Sequence, residues 1–253
     1  MRNLILLISI SVAFTAADYS KNEVFRSPRI VGGEITDIKD FPYQLSVRHY
    51  NYHICGASII SATHALTLGT CLEFLQPPQI TFLAGSSNIF NSKGFIAKAL
   101  QFIFHPQFNG DTNEYDVVIA VVDKPFIGLN IQPVKLATQN MPLPLGLNAV
   151  IAGWGDTNTG ELNSLLHKVE LPIVNTEDCK IAWNGEVSET MVCAGRPGAD
   201  TCSSDNGGPL VYCGLQIGIN VRNSMRCDGA QPALFTDITH PVIRAFIREK
   251  TGV

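Results

Sequence analysis

The sequence predicts an all-β fold, arranged either as one large unit or as two small lobes. Short runs in which apolar and polar residues alternate follow one another along the chain, with turn residues between them. This pattern is typical of strands that bury one face. Helix signals are confined to two short segments, and a chain of 253 residues is long enough to bury a sizeable core.

The predicted strands form two sets on either side of residues 130–146. That linking segment carries Pro133, Pro142 and Pro144, which suits an irregular crossing between two lobes. The first set opens with the alternation of Tyr43, Leu45 and Val47 and continues with residues 54–60, 80–84, 95–104 and 117–122. The second set comprises residues 149–152, 169–174, 191–194, 209–212, 215–221 and 233–235.

Two helices are expected in the second half of the chain. Thr176 is a candidate N-cap for a short helix that runs to about Trp183. The last segment can begin a helix at Pro241, because proline is favoured at the first helical position. Its apolar residues would share one face and pack onto the second lobe; they are Val242, Ile243, Phe246 and Ile247.

The amino terminus predicts two segments that are removed before the protein acts. Residues 1–17 carry one positive charge, an apolar run and small residues, the pattern of a secretory signal. A membrane anchor is the alternative, but the run is shorter than the roughly 20 apolar residues that span a bilayer. Residues 18–29 end at Arg29 before an apolar start and indicate a propeptide, although a retained disordered leader is also possible. The domain is then residues 30–253, with lobes at about 30–135 and 136–253.

Charge and cysteine usage narrow the function classes. The formal net charge of −4 favours neither nucleic acid nor an anionic membrane surface as a partner. Seven cysteines behind a signal peptide indicate an oxidising compartment and disulfides. Cysteine spacing alone does not choose among the possible pairings. Because the number is odd, at least one cysteine is free or bonded to another chain.

Residues 200–210, with the sequence DTCSSDNGGPL, are the stretch on which the functional interpretation depends. Taken alone, they could be a glycine-rich turn between strands. Four other stretches occur in a consistent order with this loop: Ile30-Val31-Gly32-Gly33, Cys55-Gly56-Ala57-Ser58 with the downstream Leu66 to Cys71, Tyr115-Asp116-Val117-Val118, and Gly153-Trp154-Gly155. Together they resemble the trypsin-like (chymotrypsin-fold) serine proteases over residues 30–253.

The resemblance implies two antiparallel six-stranded β-barrels with a cleft between them and a carboxy-terminal helix. It also implies three disulfides, which are Cys55 with Cys71, Cys179 with Cys193, and Cys202 with Cys227. Cys213 has no counterpart partner. We expect it to be a buried, inert thiol, with an intermolecular bridge as the alternative.

At two of the catalytic positions that the resemblance implies, the side chain cannot perform the step that the family's reaction needs. Asn206 stands where the family has its nucleophilic serine, and a carboxamide is no nucleophile. Thr70 stands where the family has its histidine, and a hydroxyl does not act as a base near neutral pH. Asp116 is the same residue type as the aspartate at the family's third catalytic position. Ser204 stands where the family has the glycine whose amide forms half of the oxyanion hole. No histidine replaces the lost base, because His64 and His53 are expected to have structural roles.

Asp116 loses the histidine and a serine that hold this carboxylate in the family, since the serine position is Val221. A buried carboxylate without donors is costly to keep charged. We therefore predict that backbone amides near Gly69 and Thr70, the Thr70 hydroxyl or a trapped water satisfies it, with a raised pKa.

The implied specificity pocket is also altered. Asp200 occupies the base position that selects Lys and Arg in trypsins. Its walls differ from the family, because Asn223 and Ala233 replace glycines and Arg222 lies on the same edge strand, so the slot should be narrow or filled. We hypothesise that Arg226 or water neutralises Asp200 from within.

The resemblance further implies an activation switch. Asp205 matches the aspartate that, in the family, pairs with the amino group released when the chain is cut; here the cut would fall between Arg29 and Ile30. It is equally possible that Asp205 is kept only for its packing and that no such switch operates. The region of the family's calcium loop, residues 85–94, lacks acidic ligands, so no metal is expected. No cofactor is expected.

These departures predict a secreted, catalytically inactive homologue. Its pattern resembles the inactivated protease paralogues of parasitic mites, which implies binding to host proteins, with complement inhibition the activity attributed to that group. Inactive members also occur among insect immune protease homologues, which usually carry a clip domain that we do not expect here. The alternatives are a peptidase with residual or unconventional activity and a decoy for protease inhibitors. We expect a monomer.

Overall fold

The computed structural model describes residues 32–91, 94–155 and 164–253. The predicted signal at residues 1–17 and the predicted propeptide at 18–29 lie outside the described residues. Within the described ranges, no helix combines the length and the apolar character needed to cross a membrane.

The first half of the chain forms a closed antiparallel barrel. Its strands follow the order β2-β3-β4-β7-β6-β5, and β5 pairs back onto β2 to close the ring. The strands are β2 (Gln44–His49), β3 (Tyr52–Ile59), β4 (His64–Thr67), β5 (Ile80–Ala84), β6 (Phe95–Phe104) and β7 (Val118–Val122).

The second half forms a second ring of six antiparallel strands. The order is β9-β10-β11-β14-β13-β12, and β12 and β10 both pair with β9, which closes the ring. Its strands are β9 (Asn148–Gly153), β10 (His167–Val174), β11 (Met191–Ala194), β12 (Pro209–Tyr212), β13 (Leu215–Arg222) and β14 (Ala233–Asp237). The prediction of an all-β fold with two antiparallel six-stranded barrels and a carboxy-terminal helix is therefore confirmed.

Two short strands were missed because each is only two residues long. β1 (Glu34–Ile35) adds to β10, and β8 (Lys135–Leu136) runs parallel to β13 within the proline-containing crossing. A pairing this short leaves no periodicity for a sequence pattern to detect.

The helices agree with the prediction in place but not in detail. Helix α1 (Thr176–Ala182) is capped by Asn175, whose side chain accepts from the Glu177 N–H, so the assignment of Thr176 as N-cap was wrong by one residue. Helix α2 (Pro241–Thr251) begins at Pro241 as expected. Its buried face holds Ile243, Phe246 and Ile247, whereas Val242 is 41% exposed.

The hydrophobic core has three main parts. Each barrel encloses its own cluster, built around Phe82 in the first barrel and Phe235 in the second. A third cluster joins Leu66 and Ile119 of the first barrel to Ile219 of the second and to Ile243 of α2. Helix α2 therefore packs where the two barrels meet.

Three disulfides brace the fold, with the pairs that the family resemblance implied: Cys55–Cys71, Cys179–Cys193 and Cys202–Cys227. In the chain-entropy model each contributes about 3 kcal/mol of stability. Cys213 is free but exposed, so the expectation of a buried thiol was wrong. It lies with Gly214 in a two-residue turn between β12 and β13, and both residues have positive φ (48° and 77°), which turns the chain outward from the barrel.

Candidate active site

The loop that carries Asn206 is held in place by glycines. Gly207 has φ 84°, and a Cβ there would lie 2.3 Å from both the Gly56 carbonyl oxygen and Thr67 Oγ1. The Gly56 N–H also donates to the Asn206 carbonyl over 2.7 Å. Because β3 and β4 come this close, only glycine fits at residue 207. This packing maintains the loop geometry whatever side chain stands at residue 206.

The side chain of Asn206 offers no reactive group. It is half-buried, and its Oδ1 has no hydrogen-bond partner among the described residues. The lone pair of the amide nitrogen is delocalised into the carbonyl, so neither the nitrogen nor the oxygen of the amide attacks a peptide bond at neutral pH.

Thr70 and Asp116 form a closed pair beside this loop. The Thr70 hydroxyl donates to Asp116 Oδ2 over 2.7 Å, and the Thr70 N–H donates to Oδ1 over 3.0 Å. Asp116 is fully buried, and burial raises its pKa although Thr70 and the Gly69 N–H oppose the rise. The predicted satisfaction of Asp116 by the Thr70 hydroxyl and nearby amides is confirmed. The single hydroxyl proton of Thr70 points at the carboxylate, so Thr70 acts as a donor here.

The two nearby histidines, His64 and His53, make their hydrogen bonds to other residues. His64 contacts Ser61 Oγ through Nδ1 over 2.7 Å, and burial lowers its pKa. His53 lies between Ser46 Oγ and the Ser204 carbonyl, each 2.9 Å away. Burial lowers the pKa of His53 to about 4, so the ring is neutral at pH 7 and its Nε2–H donates to Ser204. No hydrogen bond between these rings and Thr70 or Asn206 occurs in the described residues.

Ser204 and Asp205, the residues predicted for the oxyanion position and the activation switch, directly precede Asn206. Ser204 has φ 71°, a left-handed conformation that costs a serine more than a glycine. Asp205 is buried and accepts from the Gly155 N–H over 2.7 Å and from the Cys202 N–H over 3.0 Å. Arg29 and Ile30, the other residues of the predicted switch, lie outside the described residues.

Asp200 is 1% exposed, and its carboxylate accepts hydrogen bonds from other groups of the same chain. Ser224 donates to Oδ2 through its hydroxyl and, over 3.1 Å, through its N–H, and the Gly229 N–H lies 3.3 Å from the same oxygen. Burial raises the pKa of Asp200 to about 6 despite these donors. The hypothesis that Arg226 neutralises Asp200 was wrong, because Arg226 is exposed and Ser224 makes the contact.

The residues predicted to form the pocket walls lie at the start of β14 and at the end of β13. Ala233 is fully buried on β14 within the core of the second barrel, and Asn223 follows the end of β13, partly exposed. Arg222, at the end of β13, stacks on the Trp183 ring with its Cζ 4.7 Å from the ring centroid and pairs with Glu186 over 3.0 Å. The sequence placed Arg222 on the edge strand but gave no sign of its two partners, since they lie in a separate segment.

A cleft of about 390 Å³ opens beside Arg222. Residues 111–114 form one wall and residues 185–188 the other, and the lining carries the carboxylates of Asp111, Glu114 and Glu186. Across the described ranges, no three His, Cys, Asp or Glu side chains are placed to share a metal ion.

Two six-stranded barrels, a glycine-held loop between them and a buried aspartate beside that loop define a chymotrypsin-type fold. The family model described as Trypsin matches residues 30–245, and the chain belongs to the trypsin family of serine proteases. It is 31% identical over 261 residues to a trypsin of Phaedon cochleariae, with all of both chains covered. It is 33% identical to a trypsin of Simulium vittatum (83% of this chain, 89% of that protein) and 29% identical to hypodermin-B of Hypoderma lineatum (98% of each).

Proposed function

We propose that this member of the trypsin family is secreted and catalytically inactive, and that it acts by binding proteins of a host. The observation that carries the proposal is the Thr70–Asp116 contact, in which the hydroxyl donates a hydrogen bond to the carboxylate and keeps its proton. A residue in that role cannot take a proton from a nucleophile, and Asn206 has no hydroxyl to give one.

The size of the expected defect follows from studies of catalytic groups that act as a unit. Removing the base and nucleophile together costs about a millionfold in turnover and leaves roughly a thousandfold over water from binding and the oxyanion hole. The left-handed Ser204 at the oxyanion position is expected to reduce that remainder further. We therefore do not expect the protein to cleave peptides at a biologically useful rate.

Secretion is supported by the three disulfides, which persist in oxidising compartments. The nature of the partner rests on the resemblance to the inactivated protease paralogues of parasitic mites. Complement components are the partners proposed on that basis, with a monomer as the binding unit and no nucleic acid or membrane surface involved.

Two assays on purified residues 30–253 test the proposal separately. A fluorophosphonate probe should leave the whole chain unlabelled while an active trypsin, treated in parallel, is labelled at its serine. Labelling of the chain at any serine that then blocked peptide hydrolysis would revive the alternative of an unconventional peptidase. A haemolytic assay should show inhibition of complement at micromolar concentration, and its absence would remove complement from the proposal while leaving inactivity standing.

The inhibitor-decoy alternative requires a pocket that accepts a lysine or arginine side chain. The burial of Asp200 and the chain's own donors to its Oδ2 argue against such a pocket. Binding of a trypsin-directed Kunitz inhibitor to residues 30–253 would favour the decoy, and no binding would exclude it.

A further inference from the structure

His105 lies between two aromatic rings just after the end of β6. It is 2% exposed, its ring stacks on Tyr115 with the ring centroids 4.7 Å apart, and Phe246 of α2 meets it edge-on at 4.8 Å. The same histidine lines a groove of about 500 Å³ between residues 105–107 and one side of α2. The imidazole ring is therefore part of the aromatic packing and also part of the groove wall.

The His105 side chain also closes a tight turn. The Gln107 N–H donates to His105 Nδ1 over 3.2 Å, and the Phe108 N–H donates to the His105 carbonyl over 3.0 Å. Pro106 stands second in this turn, a position that its fixed φ suits. Because Nδ1 accepts a hydrogen bond from the backbone, it carries no proton, and the neutral ring holds its proton on Nε2.

A protonated ring does not fit this arrangement. Both nitrogens of an imidazolium are donors, so an Nδ1–H would face the Gln107 N–H and their hydrogen bond would be lost. Burial lowers the pKa of His105 from its ordinary value of 6.5, and repulsion from His240 acts in the same direction, while an interaction with the Val242 backbone opposes the shift. The closed turn is therefore specific for the neutral histidine.

On the α2 side, the groups around the ring supply no net negative charge. His240 directly precedes the helix, and its Nδ1 is buried without a partner among the described residues. Glu249 and Lys250 line the groove farther along α2 and pair with each other over 2.7 Å, so their charges cancel. Residues 106–108, on the other wall, carry no charge.

On the interior side, the two nearest acids of the chain are engaged elsewhere. Asp116 follows the Tyr115 ring in sequence, but both of its carboxylate oxygens accept from Thr70. Asp237 accepts from the Thr239 hydroxyl over 2.7 Å, and its electrostatic partner is His240. A positive charge on His105 would therefore lie in the aromatic packing without a counter-ion.

We propose that residues 105–108 form an acid-sensitive latch: at neutral pH the His105 ring closes the turn and fills the slot between Tyr115 and Phe246, and protonation of the ring releases it and opens the slot onto the groove. The device goes beyond the proposed function and does not depend on it, because neither Asn206 nor the Thr70 hydroxyl takes part in the latch.

Both ends of the latch stay attached when the ring leaves. The His105 N–H donates to the Val117 carbonyl over 3.2 Å, a bond that does not involve the ring. At the other end, the Phe108 ring packs so closely on Gly69 that a Cβ there would lie 2.7 Å from a ring carbon. Opening is therefore local, and the barrel is expected to persist.

The first measurement is an NMR titration of the His105 ring in the purified protein. At pH 7.5 the ring should be the tautomer with its proton on Nε2, and its pKa should lie below the ordinary 6.5. A ring that carries its proton on Nδ1 at pH 7.5, or one that titrates at or above 6.5, would overturn the latch.

Hydrogen exchange of the Gln107 amide measures the release directly. Because the open turn binds the proton more tightly than the closed one, closure is fully favoured above pH 6.5 and weakens as the pH falls towards the pKa of the closed state. The protection factor of this amide should fall about tenfold between pH 7.5 and pH 5, the factor that a pKa shift of one unit gives. The His105 N–H is the internal control and should keep its protection. Equal protection of Gln107 at both pH values would contradict the latch.

His105→Asn is the matched variant, because an asparagine can cap the N–H two residues on and has no proton to gain. Its Gln107 protection should be the same at pH 7.5 and pH 5, whereas His240→Asn, which leaves the latch intact, should keep the pH response. A pH response in His105→Asn as large as that of the parent would overturn the inference.

A neutral apolar dye, Nile red, reports on the opened slot and also covers the case in which His105→Asn does not fold. Its fluorescence with the parent should rise between pH 7.5 and pH 5, because the slot exposes aromatic surface to the groove. His105→Phe keeps the slot filled and cannot be protonated, so its signal should stay flat. No rise in the parent, or an equal rise in His105→Phe, would refute the opening.

Discussion

The Thr70 hydroxyl and the Asp116 carboxylate lie 2.7 Å apart, and the backbone N–H of the same threonine holds the other carboxylate oxygen at 3.0 Å. A single residue therefore supplies two donors to a fully buried acid. In the proposed inactive protein, Thr70 stands at the position that the family resemblance assigns to the histidine, and it stabilises the carboxylate without transferring a proton. The aspartate can stay buried because its hydrogen bonds are made.

Replacing Thr70 by valine should destabilise the fold by about 1–3 kcal/mol, because a buried acceptor loses its side-chain donor while the shape is kept. The measurement is urea unfolding at pH 7. Thr70→Ser keeps the hydroxyl and is the matched control, expected within about 1 kcal/mol of the parent. A loss in Thr70→Ser with none in Thr70→Val would show that the methyl group, and not the hydroxyl, matters at this position.

The positions of Thr70, Asp116 and Asn206 could be predicted because each lies in a short motif that resembles the family. The hydrogen bond between Thr70 and Asp116, which are 46 residues apart, was expected because that resemblance puts the two positions side by side. Ser224 was missed because the resemblance assigned it no role. It is 24 residues from Asp200, and only the fold of residues 223–229 brings its hydroxyl to the carboxylate.

The strands likewise divide into those that the sequence pattern predicts and those that it does not. Long alternating runs such as β6 (Phe95–Phe104) were visible in the sequence, whereas the two-residue strands β1 and β8 exist only through their partners β10 and β13. Cys213 was expected inside because cysteine is commonly buried. The tight turn that it shares with Gly214 places it outside, and positive φ at a cysteine gives no signal in the sequence.

Restoring the catalytic pair should not restore trypsin-like cleavage. The double variant Thr70→His with Asn206→Ser regains a base and a nucleophile, so it should react with a fluorophosphonate. It should still fail to hydrolyse arginine amide substrates, because Ser224 occupies Asp200. Asn206→Ser alone, which has no base, is the control and should stay unlabelled. Efficient arginine cleavage by the double variant would mean that the pocket is open.

Asp200 should make stability depend on pH in an identifiable window. Its pKa rises from the usual value near 3.8 to about 6 in the fold, so the native chain binds its proton more tightly than the unfolded chain. The contribution of Asp200 to the free energy of unfolding is therefore highest below pH 4, falls as the pH rises to about 6, and is constant above that pH. The shift corresponds to at most about 3 kcal/mol.

The check is the difference in unfolding free energy between the parent and Asp200→Asn, followed from pH 4 to pH 7.5. Other titrating carboxyls contribute to both proteins and cancel in this difference. The parent should lose stability relative to the variant by about 2–3 kcal/mol across the window. A flat difference would show that Asp200 titrates near its ordinary value.

Cys213 should behave as an accessible thiol. In the native chain, a maleimide should modify it rapidly while the three disulfides stay intact, because it is free and exposed in a turn. Cys213→Ser should change the unfolding free energy by less than about 0.5 kcal/mol. Modification only after denaturation would contradict the exposed position. Mass spectrometry of the labelled peptide is the measurement.

The most direct test of catalytic inactivity is peptide cleavage by purified residues 30–253, compared with the variant Thr70→Ala and Asn206→Ala. A mixed peptide library, read by mass spectrometry over hours, should show the same residual background for both proteins. Cleavage by the parent at a rate that the double variant abolishes would show that Thr70 or Asn206 takes part in catalysis and would contradict the account.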